Sequence, residues 1–406
     1  MAKLLWGKIY FKDTFAGYLR EDPGDHFTFT YDSSYIASGN HAIAHNLPVR
    51  KSPYISYNGL HPFFDNLVSE GWLENVQSRL LGKREVKRFE LLLAFGFDCI
   101  GAVSIVDPEP AKLTDVMLDK DDPKEMAALT SRASPPGVQP KLAVIEENGL
   151  FRPTGINELS THIAKFSSAL HPDIIENEYL ATCAFQALLP NDDVVTLKIG
   201  EIKGIEGPAL LIRRFDRDVG KRIHFEEFNQ LLNYRSTEKY EGAYKDISEF
   251  IRQSDNCLPI QNYVLYRRIL AGLVLGNTDM HLKNFAMFHT SQGLRFTPSY
   301  DQVSASYYNY KSVALSIAGA PNMPIRSLKP RSIIRLGEEF GFSPAVIKMV
   351  HDDLAKNLGA AKQAIADAKF GTDKLKNNLI ELMERRWNGT FALIGKKLSS
   401  KQKNDE

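Results

Sequence analysis

Asp279 and Asn284 stand in a DxxxxN arrangement within Gly276-Asn277-Thr278-Asp279-Met280-His281-Leu282-Lys283-Asn284, and Asp301 follows downstream in Pro298-Ser299-Tyr300-Asp301. The chemistry these three suit is phosphoryl transfer: one aspartate to orient or deprotonate an attacking hydroxyl, and an asparagine and a second aspartate to hold magnesium. Magnesium takes hard oxygen ligands, usually one or two carboxylates beside phosphate oxygens, which matches so sparse a set. By itself DxxxxN is weak, because Asp and Asn are common loop residues. A zinc reading of His281, Lys283 and His289 fails on chemistry, since no cysteine is near and the lysine repels a cation.

The surrounding pattern explains how the three side chains would meet. Residues 263–275 read as a buried helix: Leu265, Ile269 and Leu273 form one i, i+4 row, Tyr266, Leu270 and Val274 the next, and Gly276 suits the stop. After Asn284 the alternation of Phe285 and Met287, the turn Ser291-Gln292-Gly293, and the alternation of Leu294 and Phe296 predict a hairpin. Antiparallel strands return the chain to its starting end, so Asn284 and Asp301 are expected side by side.

Upstream, residues 131–141 (Ser-Arg-Ala-Ser-Pro-Pro-Gly-Val-Gln-Pro-Lys) precede a strand over 142–145 that pairs with 150–152 through the Asn148-Gly149 turn. Such a loop presents backbone N–H groups to phosphates, although Pro135 and Pro136 have none, and in isolation it reads more simply as a surface turn. Residues 161–166 form a further expected strand carrying Lys165, and 173–189 a helix with Glu178 near its start. A lysine on a strand is ordinarily a solvated face; followed by a helical glutamate it becomes the ion pair that positions phosphates in kinases. Residues 194–199 and 209–215 supply two more strands, the second leading toward a hinge. Ser343-Pro344 caps a helix through Val346, Ile347, Val350 and Leu354, and 334–350 faintly resemble a helix-turn-helix.

The 406 residues allow two or three domains, and 43% hydrophobic with 24% charged residues is ordinary for a globular protein. A net charge of +1 gives no global attraction to nucleic acid or acidic membranes. Cys99, Cys183 and Cys257 are isolated thiols, the pattern of a reducing cytosol. No signal peptide or run of about eighteen apolar residues is seen, so a cytoplasmic chain without a membrane partner is expected. The amino-terminal part reads as a small antiparallel sheet over 3–30, helices over 61–81 and 84–95, and a Gly turn into a strand ending at Val106. Residues 108–124, rich in Pro, Asp and Lys, read as a linker.

Taken together, the sequence resembles the HipA family of bacterial serine/threonine kinases, the toxin halves of toxin–antitoxin pairs. The resemblance runs along nearly the whole chain. It rests on residues 61–67 (His-Pro-Phe-Phe-Asp-Asn-Leu), 98–103 (Asp-Cys-Ile-Gly-Ala-Val), 137–141 (Gly-Val-Gln-Pro-Lys), 211–217 (Leu-Ile-Arg-Arg-Phe-Asp-Arg), 277–284 and 297–301. The resemblance implies ATP and Mg2+ as cofactors, with Asp279 catalytic, Asn284 and Asp301 binding magnesium, and Lys165 on the nucleotide phosphates. Pro136, Gly137, Val138, Gln139, Pro140 and Lys141 would form the phosphate loop and Arg213, Arg214 and Phe215 the adenine hinge. His281, Leu282, Lys283 and Asn284 would complete the ATP site, and Ser134 falls where the family autophosphorylates. Pro135-Pro136 and Arg213 depart from the family pattern, the latter where an acidic residue is expected.

The expected fold is α+β, two-lobed and protein kinase-like (HipA-like), with an all-helical carboxy-terminal lobe and ATP between the lobes. Its expected divisions are an amino-terminal subdomain over 1–106, a linker over 107–130, a nucleotide lobe over 131–259 and a catalytic lobe over 260–406. The resemblance further implies a HipB-like DNA-binding antitoxin, operator DNA reached through that complex, growth arrest and persistence. The implied protein substrate is an aminoacyl-tRNA synthetase, foremost glutamyl-tRNA synthetase. Two other readings stay open on sequence: a small-molecule kinase of the antibiotic-phosphotransferase type, and a non-catalytic, operator-binding partner of an antitoxin.

Overall fold

The computed structural model describes residues 4–83, 85–114, 118–119, 122–128, 133, 135, 139–156 and 158–402. It divides into two compact units, one comprising residues 1–168 and 196–238, the other 169–195 and 239–406.

The first unit opens with β1 (Trp6–Phe11), β2 (Thr14–Asp22), β3 (His26–Tyr31) and β4 (Tyr54–Ser56), with α1 (Ser33–Ala37) before the last of these. The helices α2 (Pro62–Asp65), α3 (Gly71–Leu80) and α4 (Arg88–Phe95) then lead into β5 (Val103–Val106), which joins β1 antiparallel and completes a sheet in the order β4-β3-β2-β1-β5. Every second residue of β1 and β3 is buried, as expected of strands with one face on a core. The segment expected as a plain linker carries α5 (Pro123–Ala128), whose Glu125 pairs with Arg79 of α3 and accepts the Asp119 N–H at 2.8 Å. A buried acidic side chain with two partners, not visible in a Pro- and Asp-rich composition, ties that segment down.

The strands β6 (Lys141–Glu147), β7 (Leu150–Pro153), β8 (His162–Lys165), β9 (Leu197–Ile202) and β10 (Ile205–Arg213) close into a barrel in the order β10-β8-β6-β7-β9. The expected Asn-Gly turn is present between β6 and β7, with both residues at positive φ. The expected strand over 194–199 instead begins at Leu197, because residues up to Val195 belong to the other unit. The short β11 (Arg217–Asp218), β12 (Lys221–Arg222) and β13 (Phe225–Glu227) follow, then α7 (Phe228–Leu231).

The second unit contains α6 (Ile174–Leu188), α8 (Tyr244–Gln253), α9 (Ile260–Leu275), α10 (Pro330–Glu339), α11 (Pro344–Ala366), α12 (Asp373–Arg386) and α13 (Ala392–Gln402). Its hairpin is β14 (Ala286–Thr290) with β15 (Gly293–Phe296). Helix α9 is buried around most of its circumference, which is why its apolar residues run in two adjacent rows and not one stripe. Helix α6 packs along α11, and Ser343 caps α11 by accepting the Val346 N–H. Among the described residues no helix is long and apolar enough to cross a membrane.

Candidate active site

Helix α9 delivers the DxxxxN loop, and Gly276 makes the delivery possible. It ends the helix at φ 76°, and a Cβ there would lie 2.3 Å from Ser306 Oγ and 2.5 Å from Leu382 Cδ2, so no side chain fits. Beyond it Asn277 is buried and works in two directions. Its Oδ1 accepts the Asp279 N–H at 3.1 Å, while its Nδ2 donates to the Asp301 carbonyl at 3.3 Å and to Gln302 Oε1 at 3.4 Å. One amide thus ties the start of the loop to the residue expected as a metal ligand.

The Asp279 carboxylate is exposed and accepts a hydrogen bond from Tyr240 Oη at 2.9 Å. Beneath the loop, Tyr244 donates its hydroxyl to the Met280 carbonyl at 3.1 Å. Burial, reinforced by the nearby Asp279 charge, pushes the Tyr244 phenol well above its ordinary pKa, so it stays a donor. Leu282 is wholly buried and donates its N–H to the Lys239 carbonyl at 3.1 Å. Its side chain is packed inside the unit beneath the loop. Lys283 is buried too, and its carbonyl accepts the Tyr300 hydroxyl at 2.7 Å. His281 is buried with its ring edge-on to Tyr240, and its N–H meets Asn284 Oδ1 at 3.0 Å.

The hairpin does what its pattern predicts. β14 pairs with β15 from Met287↔Phe296 to Thr290↔Gly293, and Asn284 Nδ2 comes to 3.1 Å from Asp301 Oδ2. In that contact the amide nitrogen donates to the carboxylate; the atoms of the pair that suit magnesium in hardness are Asn284 Oδ1, which here accepts the His281 N–H, and the Asp301 carboxylate oxygens. Asp301 holds φ 54°, a left-handed backbone that a non-glycine residue adopts at a cost, as residues at functional turns often do. The turn is held from outside: Asn177 of α6 accepts the Ser304 N–H at 2.8 Å, and Arg268 of α9 grips Asp192 and the Thr297 carbonyl. Asp192 and Arg268 lie far apart in sequence and carry no spacing signal, which is why sequence reasoning missed them. It missed Tyr240 for the same reason.

The nucleotide-side candidates belong to the first unit. Ser134, Pro136, Gly137 and Val138 lie outside the described residues. Gln139 donates its amide to the Phe166 carbonyl at 2.9 Å, and the Pro140 carbonyl accepts the Phe166 N–H at 3.0 Å. Lys141 opens β6 directly across from Lys165 at the end of β8, and the two are 4% and 6% exposed. Arg213 ends β10 with its side chain exposed, and Phe215 lies half-buried against Phe225.

Arg214, expected at the adenine hinge, is different: its guanidinium turns into the unit. Its side chain is buried and donates through Nε and Nη2 to Asp216, through Nη1 to Asp98 (3.1 Å) and Ser160 (2.8 Å), and through Nη2 to the Cys99 carbonyl (2.9 Å). A guanidinium has five N–H bonds, and all five are engaged inside the unit. Arg217 adds bonds to Asp98 and Asp216. Burial alone would raise the Asp98 carboxyl, but Arg214, Arg217 and the Ser160 hydroxyl outweigh it and bring it down to about 2; burial would likewise raise Asp216, but the same two arginines and the Gly101 N–H lower it.

Residues 133–362 match the HipA-like C-terminal domain, and residues 7–106 match the HipA N-terminal domain. The chain belongs to the HipA family. It is 29% identical over 354 residues to the serine/threonine-protein kinase toxin HipA of Shewanella oneidensis, covering 78% of this chain and 79% of that one. It is 26% identical over 329 residues to a putative kinase, Y4mE, of Sinorhizobium fredii, covering 74% and 77%. Among solved structures, the Shewanella oneidensis MR-1 toxin–antitoxin complex of HipA, HipB and operator DNA matches with a TM-score of 0.76 at 20% identity, over 96% of this chain and 99% of that one. That likeness shows the fold, the two-lobed α+β arrangement of HipA expected from the sequence.

Proposed function

We propose that this HipA-family chain is an ATP- and magnesium-dependent serine/threonine protein kinase acting as the toxin of a toxin–antitoxin module. The observation that carries the reading is that a buried helix ends in an exposed Asp279 carboxylate whose backbone Asn277 ties to Asp301, with Asn284 hydrogen-bonded to the Asp301 carboxylate. Asp279 accepts or orients the proton of the attacking hydroxyl. Asn284 and Asp301 hold magnesium, which when bound neutralises phosphate charge during transfer. Lys165 and Lys141 offer their ammonium groups to the nucleotide phosphates; Arg213 and Phe215 support the adenine, and Arg214 braces the strand that carries them.

A protein acceptor is favoured by the kinase-toxin relative, and an aminoacyl-tRNA synthetase, foremost glutamyl-tRNA synthetase, is the candidate drawn from the family. The complex solved for the Shewanella protein supports a HipB-like, operator-binding antitoxin as the partner. Ser134 is proposed as an autophosphorylation site whose added negative charge would repel ATP phosphates.

The test is phosphoproteomics after brief expression, together with ATP-consumption assays of the purified chain with and without magnesium. The reading expects magnesium-dependent phosphate on a protein serine or threonine, and on Ser134 itself. Transfer only to small molecules, or no ATP turnover, would overturn it.

A further inference from the structure

Tyr240 lies outside every motif that carries the family resemblance. It is 49% exposed, so burial does not explain its aromatic ring. It is nevertheless held in place at three points. The neighbouring Lys239 carbonyl accepts the Leu282 N–H at 3.1 Å, which fixes this stretch of backbone against the DxxxxN loop. Its ring meets His281 edge-on, with centroids 5.0 Å apart and planes at 85°. Its hydroxyl lies 2.9 Å from Asp279 Oδ1.

We propose that Tyr240 is a positioning residue for Asp279, an inference that rests on the kinase reading above. An exposed aspartate on a loop is free to rotate about its side-chain bonds, and a catalytic base must instead present one oxygen to the acceptor hydroxyl within hydrogen-bond reach. The phenol donates to Oδ1 and so holds the carboxylate in one orientation. The arrangement follows a general pattern in which the base is oriented by a third group. The anchors differ in kind: Asn277 fixes the Asp279 backbone through its N–H, whereas Tyr240 fixes the carboxylate. Because the Tyr240 ring packs on His281 independently of its hydroxyl, the two contributions are separable by mutation.

Tyr240→Phe keeps the ring and removes only the donor, while Tyr240→Ala removes both. A hydrogen bond to a charged group converts to roughly a 10- to 100-fold loss in kcat when it acts only in transfer. The expectation is therefore that Tyr240→Phe and Tyr240→Ala both lose kcat to that extent, with magnesium-ATP affinity by calorimetry and the KM for ATP unchanged. A Tyr240→Phe enzyme within twofold of wild type would overturn the proposal, even if Tyr240→Ala were impaired, because packing would then be the whole effect. Loss of ATP affinity in Tyr240→Phe would overturn it equally. Asp279→Asn, assayed in parallel, separates this from failure of the kinase reading: near-normal turnover in Asp279→Asn removes the catalytic assignment itself, whereas an inactive Asp279→Asn beside a wild-type-like Tyr240→Phe overturns only the positioning role. Should wild type transfer no phosphate, a double-mutant cycle of Tyr240→Phe and Asp279→Ala in urea unfolding still decides. Non-additive midpoints support the pairing, and additive ones overturn it.

Discussion

Two charged clusters in this molecule are each assembled from distant segments, and they have opposite characters. In the first unit Asp98 meets Arg214, Asp216 and Arg217, all buried, with every Arg214 N–H engaged and both acids held ionised. In the second unit Asn284 meets Asp301, and Asn277 ties both Asp301 and Asp279 into one turn from which the Asp279 carboxylate reaches solvent. Both clusters fall in stretches that carry the family resemblance, so motif membership does not distinguish them. Access does: a sealed network braces the fold, whereas an exposed carboxylate near Asn284 and Asp301 can meet a substrate.

If that distinction is right, a substitution in the open cluster should separate chemistry from stability. Asp279→Asn is expected to lower phosphoryl transfer by roughly 10²–10⁴-fold, the usual worth of a positioned general base, while leaving magnesium-ATP binding in place. Its unfolding free energy should move by no more than about 0.5 kcal/mol, as for other exposed sites. Turnover assays beside urea unfolding read both, and near-normal turnover would break the assignment.

The sealed cluster should respond the other way. Arg214→Ala leaves Asp98 and Asp216 ionised and buried without their main counter-charge, which costs roughly 3–5 kcal/mol in comparable pairs. The urea midpoint should fall accordingly, and enough magnesium-ATP to saturate the protein should leave kcat per folded molecule near wild type. A stable Arg214→Ala protein that has lost ATP affinity would instead return Arg214 to the nucleotide site. Asp301→Asn sits between these extremes: altering the environment of a metal ligand typically costs 10–100-fold in metal affinity, and roughly that loss in magnesium-dependent ATP binding is expected. Calorimetry at varied magnesium would show it, and unchanged magnesium dependence would remove Asp301 from the ligand set.

Sequence reasoning reached these clusters unequally. The i, i+4 rows of α9, the glycine at its end and the alternation on either side of Ser291-Gln292-Gly293 are local patterns, and they were enough to place Asn284 against Asp301. Arg214 shows what local patterns miss. Its position at the end of a strand was legible, but whether its guanidinium faced a ligand or the interior depended on Asp98, more than a hundred residues earlier, and no periodicity encodes that pairing. Likewise α5 was hidden in a stretch whose Pro and Asp content reads as linker, because its anchoring through Glu125 to Arg79 is a tertiary fact. Asn277 and Tyr240, which hold the catalytic aspartate by backbone and by side chain, look in sequence like any polar loop residue and any surface aromatic.

The smallest expected effect concerns acid, and it probes the sealed cluster without dismantling it. Asp98 has a folded-state pKa of about 2 against an ordinary value of 3.8. A depressed carboxyl contributes stability that is fully present above its unfolded pKa and is lost as pH falls through its folded pKa, because over that window the unfolded chain binds more protons. The shift corresponds to roughly 2–3 kcal/mol, developing between about pH 4 and pH 2. Asp98→Asn keeps the side-chain size and removes the titration. The variant should be less stable than wild type at neutral pH, because Arg214 and Arg217 lose a counter-charge, but its stability should fall less steeply through that acid window. Asp279→Asn, altering an exposed carboxylate in the open cluster, should leave the wild-type slope nearly intact. Urea midpoints measured from pH 6 down to pH 2.5 would compare the slopes, and parallel curves for wild type and Asp98→Asn would mean that the network is not the sealed, fully ionised brace described above.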